Sequence, residues 1–576
     1  MKKLLVYMKG YGGAIVLSPL LKLIEAALEL FVPLVIARVV DRGVAGGDRG
    51  YITGMCLLLG ALGVIGYIFS IIAQYFAAKV AVGFVARVKH VLFAHLGRLS
   101  YTEMDTLGSA TMITRMTSDM NQMQSGINLA LRLLLRSPFV VFGAMVMAFT
   151  VDVKAALTFA VAIPVLCIVV FGIMLVSIPL YKKVQAKLDA VLKATRENLS
   201  GVRVIRAFCH EKEETEDFHN KNEALTREQK FVGRISALMN PITYIIINLA
   251  TVWLIHIGAI RVEMGILTSG AVIALYNYMS QILIELIKMA NLFITITKAI
   301  ASGNRVQAIL EIPAGMDTPA GISDAVQNGD AVRFDNVTLT YRGAGAPSLE
   351  TITFSAARGE TVGIIGGTGS GKTSLVNMIP RFYDATEGSV TVNGIDVRAF
   401  DTEVLREKIG IVPQKALLFR GTIRENLLYG NPDATDDALW AALEIAQARS
   451  VVEEKPGGLD FQIEAGGRNL SGGQRQRLTI ARALVRNPEI LILDDSASAL
   501  DFATDAALRK ALKALPSDMT VFIVSQRTSS IAHADKILVM EDGCISHIGT
   551  HAELLETSDI YREIYDSQFK KEAAVG

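Results

Sequence analysis

The sequence predicts an α-helical six-span transmembrane domain followed by an α/β domain built on a phosphate-cradling P-loop. Three observations predict it. Hydrophobic residues make up 51% of the 576 positions, with a mean hydropathy of +0.39, too apolar for an ordinary soluble protein. The apolar excess lies in the first half, in uncharged runs longer than the roughly 20 residues that cross hydrocarbon as a helix. The second half carries GIIGGTGSGKTSL directly after a strand-like run. A net charge of +1 argues against a large anionic or nucleic-acid-binding surface, so no nucleic-acid partner is expected.

The runs 52–78, 155–181 and 235–260 contain no Asp, Glu, Lys or Arg and read as spans. The segment 14–40 is interrupted by Lys22, Glu25 and Glu29, 129–151 opens with Arg132 and Arg136, and 265–297 carries Glu285 and Lys288; these complete the six. Basic residues follow the second span (Lys79, Arg87, Lys89, Arg98) and the fourth (Lys182, Lys183, Lys187, Lys193, Arg196, Arg203, Arg206). The other connections hold only Arg42, Arg49, Lys154 and Arg261. The positive-inside bias therefore places both termini and two long loops in the cytoplasm of a cell membrane, where ATP is found. MKKLLVYMKGYGG is basic and amphipathic without a small-residue cleavage site, and reads as an elbow on the inner lipid surface. Cys56, Cys167, Cys209 and Cys544 lack metal-ligand spacing and read as free thiols.

Residues 1–311 thus form the membrane domain. A Pro-, Gly- and Asp-rich stretch, 312–329, reads as a linker. Strand-like runs at 331–334, 490–493 and 520–524 then alternate with helical patterns, which argues a parallel α/β core over 330–568. Residues 569–576 read as a short solvated tail.

Within that core, Gly366, Gly367, Thr368, Gly369, Ser370, Gly371, Lys372, Thr373 and Ser374 join the strand-like 361–365 to a helix-like stretch. Glycines let backbone N–H groups turn toward phosphates, and the helix N-terminus adds its dipole. Lys372 is expected to reach the β and γ phosphates of ATP, and the Thr373 hydroxyl to hold Mg²⁺. Further on, Leu470, Ser471, Gly472, Gly473 and Gln474 precede a helix-like run with Ser471 at the N-cap position, offering donors to an anion. ILILDD then delivers Asp494 to the end of an apolar strand, where a P-loop fold holds Mg²⁺ through water.

With the P-loop, LSGGQ and LILDD in this order behind six spans, the chain resembles the ATP-binding-cassette family over nearly its whole length. The resemblance implies that Tyr341 stacks on adenine, that Gln414 links Mg²⁺ to the membrane domain, that 464–468 precede the signature as a communication segment, and that Ser498 to Asp501 form the D-loop. Tyr341 as a packing aromatic and Gln414 as a surface glutamine are the plainer alternatives. Residues 113–122 and 213–222 look like coupling helices, though their charge also suits any solvated helix. In this family the signature of one nucleotide domain faces the P-loop of another. A chain with one such domain must pair.

Two residues depart from the family pattern. The position after the Walker B aspartate usually holds Glu, the base that polarises water, and the switch loop usually holds His; here they are Asp495 and Gln526. Asp is shorter by one methylene, about 1.5 Å, and a misplacement of about 1 Å can cost on the order of a hundredfold. Gln cannot become cationic. This combination resembles one subunit of a heterodimeric exporter, whose own site binds ATP persistently while the partner half-transporter's site cleaves it. The expected cargo is a small hydrophobic or amphiphilic compound such as a drug, lipid or peptide. The alternative is a nucleotide-sensing regulatory subunit that gates a partner without pumping. Glu25, Glu29 and Glu285 are candidate walls of a cavity for cationic amphiphiles, with Tyr278, Met279 and Met289 as lining; pairing with nearby cations is the plainer reading.

Overall fold

The computed structural model describes residues 1–313, 315, 316, 329–514 and 518–573. Most of the linker expected at 312–329 lies outside the described residues, as do positions 574–576 of the expected tail. The chain divides into two units: Met1–Gly97 with Ser109–Pro313, and Arg98–Gly108 with the chain beyond residue 313.

The first unit is helical. After a 3₁₀ turn, Lys2–Met8, come α1 (Gly12–Arg38), α2 (Arg49–Leu96), α3 (Ser109–Val151, interrupted at Leu134–Leu135), α4 (Val153–Ala207), α5 (Glu211–Glu263, interrupted at Leu238) and α6 (Ser269–Leu310). The last five are long and apolar enough to cross a membrane. α1 is also long and apolar, but carries three charged residues, Lys22, Glu25 and Glu29, close together within it. The helices approach through small residues, as spans do where lipid offers no hydrophobic driving force: Ala26, Ala144, Ala148, Ala155, Ala156 and Ala274 are all fully buried in one core. Tyr278 and Met279 are also fully buried in that core, and the Tyr278 hydroxyl donates to the Leu30 carbonyl at 2.7 Å. Here they pack helices together.

The three carboxylates Glu25, Glu29 and Glu285 have cations beside them. Glu25 accepts from Lys22 at 2.5 Å, and Arg136 donates to Glu29 and to Glu285, each at 2.6 Å. Glu285 also accepts from Ser137 at 2.8 Å and Lys288 at 2.9 Å. Arg136 thereby joins α1, α3 and α6.

The second unit contains two larger sheets. An antiparallel sheet runs β2 (Leu349–Ala356), β1 (Val332–Leu339), β4 (Glu387–Val392), β5 (Ile395–Asp396). A second sheet has β3 (Thr361–Gly366), β6 (Ile409–Val412), β7 (Ile490–Asp494), β8 (Thr520–Val524) and β9 (Lys536–Glu541) in parallel, ordered β9-β3-β8-β7-β6, with β10 (Cys544–Gly549) antiparallel at the edge. The run expected at 331–334 as part of a parallel core belongs to the antiparallel sheet. The reason is visible in its burial: β1 hides mainly one face, whereas every residue of β7 is buried, as a strand covered on both sides must be.

The short helix Tyr101–Leu107 belongs to this second unit. Tyr101 stacks on Phe382 with centroids 4.4 Å apart, and the Tyr383 hydroxyl donates to Asp105 at 2.7 Å. Burial and that bond hold the Tyr383 phenol well above its ordinary pKa. Of the first long loop, this helix packs on the α/β core. Residues 113–122 lie in the first unit, where Arg305 of α6 holds Asp119. Residues 213–222 are mostly exposed on α5.

Candidate nucleotide site

β3 is buried from Val362 to Gly366 and points straight at α7 (Lys372–Met378) through a loop of small residues. Two glycines there are obligatory. A Cβ on Gly366 would lie 2.2 Å from the Met540 carbonyl, and Gly371 has φ +93° with Leu349 and Ser348 each 2.8 Å from any added carbon. The loop between them curls over the Lys372 ammonium, which donates to the carbonyls of Gly366 (2.9 Å) and Gly367 (2.6 Å) and to Ser370 Oγ (3.3 Å). Burial lowers the Lys372 pKa, against the pull of Asp495 and Asp494. The Lys372 charge is thus held in place and partly stripped of water, ready for a phosphate to replace its carbonyl partners.

Opposite stands the end of β7. Thr373 Oγ1 lies 3.0 and 3.1 Å from the two Asp494 oxygens. Asp494 is 4% exposed, and burial raises its pKa above the ordinary carboxylate value. Asp495 follows with φ +46°, its N–H bonded to the Val524 carbonyl, and its Oδ2 is 3.5 Å from Gln414 Nε2. Burial raises its pKa as well. A hydroxyl, two carboxylates and a carboxamide converging here are the hard oxygen donors that suit Mg²⁺, which would be held with water and phosphate oxygens and would neutralise charge on the triphosphate.

These groups share one cavity of about 540 Å³, lined by Thr368, Gly369, Gly371, Lys372, Thr373, Ser374, Gln414, Asp494, Asp495 and Gln526 among others. Tyr341 stands beside it. Its hydroxyl donates to Ser374 Oγ at 2.9 Å and its ring meets the edge of Tyr383, so it packs against the P-loop helix. Six lining residues were not singled out as site residues from sequence: Pro347, Ser348, Val524, Ser525, Asp542 and Gly543. The Asp-Gly pair is a hairpin signal between β9 and β10. Only the pairing of β9 with β3, however, carries that hairpin to the P-loop.

The signature segment is elsewhere in the unit. Ser471 caps α8 (Gly472–Leu484) in a reciprocal box with Gln474, accepting its N–H at 3.3 Å and donating its own to Oε1 at 3.0 Å. Leu470 is buried, Gly473 lies against the Ala499 carbonyl, and Asp501 caps α9 (Phe502–Lys513) through Thr504. Glu464 is exposed and its N–H donates to Asn469. Among the described residues, none of 470–474 lines the P-loop cavity, and Ser471 and Gly472 at the helix N-terminus are exposed.

Comparison with known proteins agrees with this anatomy. A family model described as the ABC transporter transmembrane region matches residues 15–286, and one described as ABC transporter matches 349–498. An uncharacterized ABC transporter ATP-binding protein of Mycobacterium tuberculosis (strain ATCC 25618 / H37Rv) is 36% identical over 98% of this chain and 97% of its own length. A Bacillus subtilis protein named for multidrug export, YgaD, is 31% identical over 99% of each chain. An ATP-dependent lipid A-core flippase of Desulfotalea psychrophila is 33% identical over 88% of this chain and 87% of its own. The solved structure of a bacterial Atm1-family ABC exporter with ATP bound shares the fold, with a TM-score of 0.81, 24% identity, and coverage of 97% of this chain and 99% of that one.

Proposed function

Since the chain belongs to the ABC transporter family, as a half-transporter homologous to the exporters, we propose that it binds Mg²⁺-ATP at a P-loop site that cleaves slowly and that it completes a faster site on a different second half. The family assignment makes it an ATP hydrolase coupled to transport and a multi-span protein of a bacterial cell membrane. The observation that carries the finer reading is that Asp495 and Gln526 line the same cavity as Lys372, Thr373 and Asp494. The two departures from the family pattern therefore sit where water would be activated. A carboxylate one methylene short and a side chain unable to take a proton leave binding intact and slow the chemistry. The exposed N-terminus of the signature helix, with its intact capping box, suits the donation of helix N–H groups to a partner's ATP.

The cargo we propose is hydrophobic or amphiphilic, moved out of the cytoplasm, in keeping with the multidrug and flippase names of two relatives. A regulatory subunit would bind ATP without moving cargo, so ATP-dependent uptake into inverted vesicles separates the two. The slow-site reading is tested by Asp495→Glu with Gln526→His in the chain purified with its co-purifying half. ATP turnover of the pair should rise about tenfold; unchanged turnover would reject the reading.

A further inference from the structure

The C-terminal helix α10 (Asp559–Ala573) grips the loop that carries Gln526. The Gln568 carboxamide reaches it with both ends. Nε2 donates to the Gln526 carbonyl at 2.8 Å, and Oε1 accepts from the Thr528 N–H and from Thr528 Oγ1, each at 2.9 Å. The orientation of this amide is forced, because a backbone N–H needs an acceptor and a carbonyl needs a donor. Thr528 is fully buried. The helix itself is bolted down by Tyr561, fully buried in a cluster with Ile365 of β3, Ile531 and Val539, its hydroxyl 2.7 Å from His551 Nδ1. Between the two gripped residues, Arg527 donates to the carbonyls of Ser498 and Leu500, each at 3.3 Å, in the D-loop.

We infer that Gln568 is a positioning residue of the nucleotide site: by fixing the backbone on either side of Arg527, it sets where the Gln526 side chain stands against the triphosphate. The inference rests on the proposal that this cavity holds ATP. Gln526 is exposed and lines the cavity, so its own surroundings restrain it little and the backbone beneath it decides its aim. An amide cannot compensate by charge for a shift of about 1 Å, the scale on which positioning is lost.

The test is the release rate of MANT-ATP, with Mg²⁺, from the full-length chain in lipid nanodiscs. Gln568→Ala should release nucleotide about fivefold faster than wild type, the effect of about one lost hydrogen bond. Gln568→Glu keeps the acceptor for Thr528 but sets a carboxylate against the Gln526 carbonyl, and should also release faster. Added to Gln526→Ala, Gln568→Ala should have no further effect, because the side chain it positions is gone. Release within twofold of wild type in Gln568→Ala overturns the inference. So does an equal loss in the Gln526→Ala background, which would make Gln568 a merely structural contact. A wild-type chain that retains no MANT-ATP removes the ATP-binding proposal, and this inference with it.

Discussion

Asp494 shows at the scale of one residue how the site works against the stability of its own domain. At 4% exposure its carboxylate is charged only at a cost, which is why its pKa is raised. A raised carboxylate pKa means that the folded state binds the proton more tightly than the unfolded one. This contribution to stability is present at low pH and is lost as pH rises through the folded value. Asp494→Asn should therefore raise the melting temperature of the nucleotide-free protein near neutral pH, by about 2–4 °C for each kcal/mol relieved, while Mg²⁺-dependent ATP binding collapses. A lower melting temperature would show that the charge is not strained. The P-loop and Asp494 were legible in the sequence because each is a contiguous run whose chemistry needs that spacing. Gln568 was not, since its role depends on a helix returning from the end of the chain to residues 526–528.

At the scale of elements, the helix Tyr101–Leu107 and the Arg136 cluster show the same principle, that contacts across the chain complete what local charge begins. The aromatic and carboxylate positions Tyr101 and Asp105 find Phe382 and Tyr383, partners far away in the chain. Glu25, Glu29 and Glu285 were legible as costly charges in apolar helices, but their partners were only partly so. Lys22 and Lys288 are i,i+3 neighbours of two of them, whereas Arg136 comes from another helix. Breaking a buried pair leaves an uncompensated charge and costs about 3–5 kcal/mol. Glu285→Ala should accordingly lower the melting temperature of the detergent-purified protein while export of cationic dyes per folded molecule stays unchanged. A selective loss of cation export without destabilisation would instead make Glu285 a cargo contact.

For the whole molecule, the two-unit plan was legible from hydropathy and motif order. The spans could be counted to six although α1 carries three charged residues within its apolar run. The completeness of the ATP site was not legible within one chain, because the P-loop cavity and the signature helix lie apart. The central claim is that ATP bound at this P-loop is held much longer than it is cut. Its most direct measurement is ATP turnover by the purified full-length chain alone in nanodiscs, set against the chain with its co-purifying half. The account predicts tight nucleotide retention with turnover at least about tenfold below that of the pair. Equally rapid hydrolysis by the chain alone as a homodimer would contradict it.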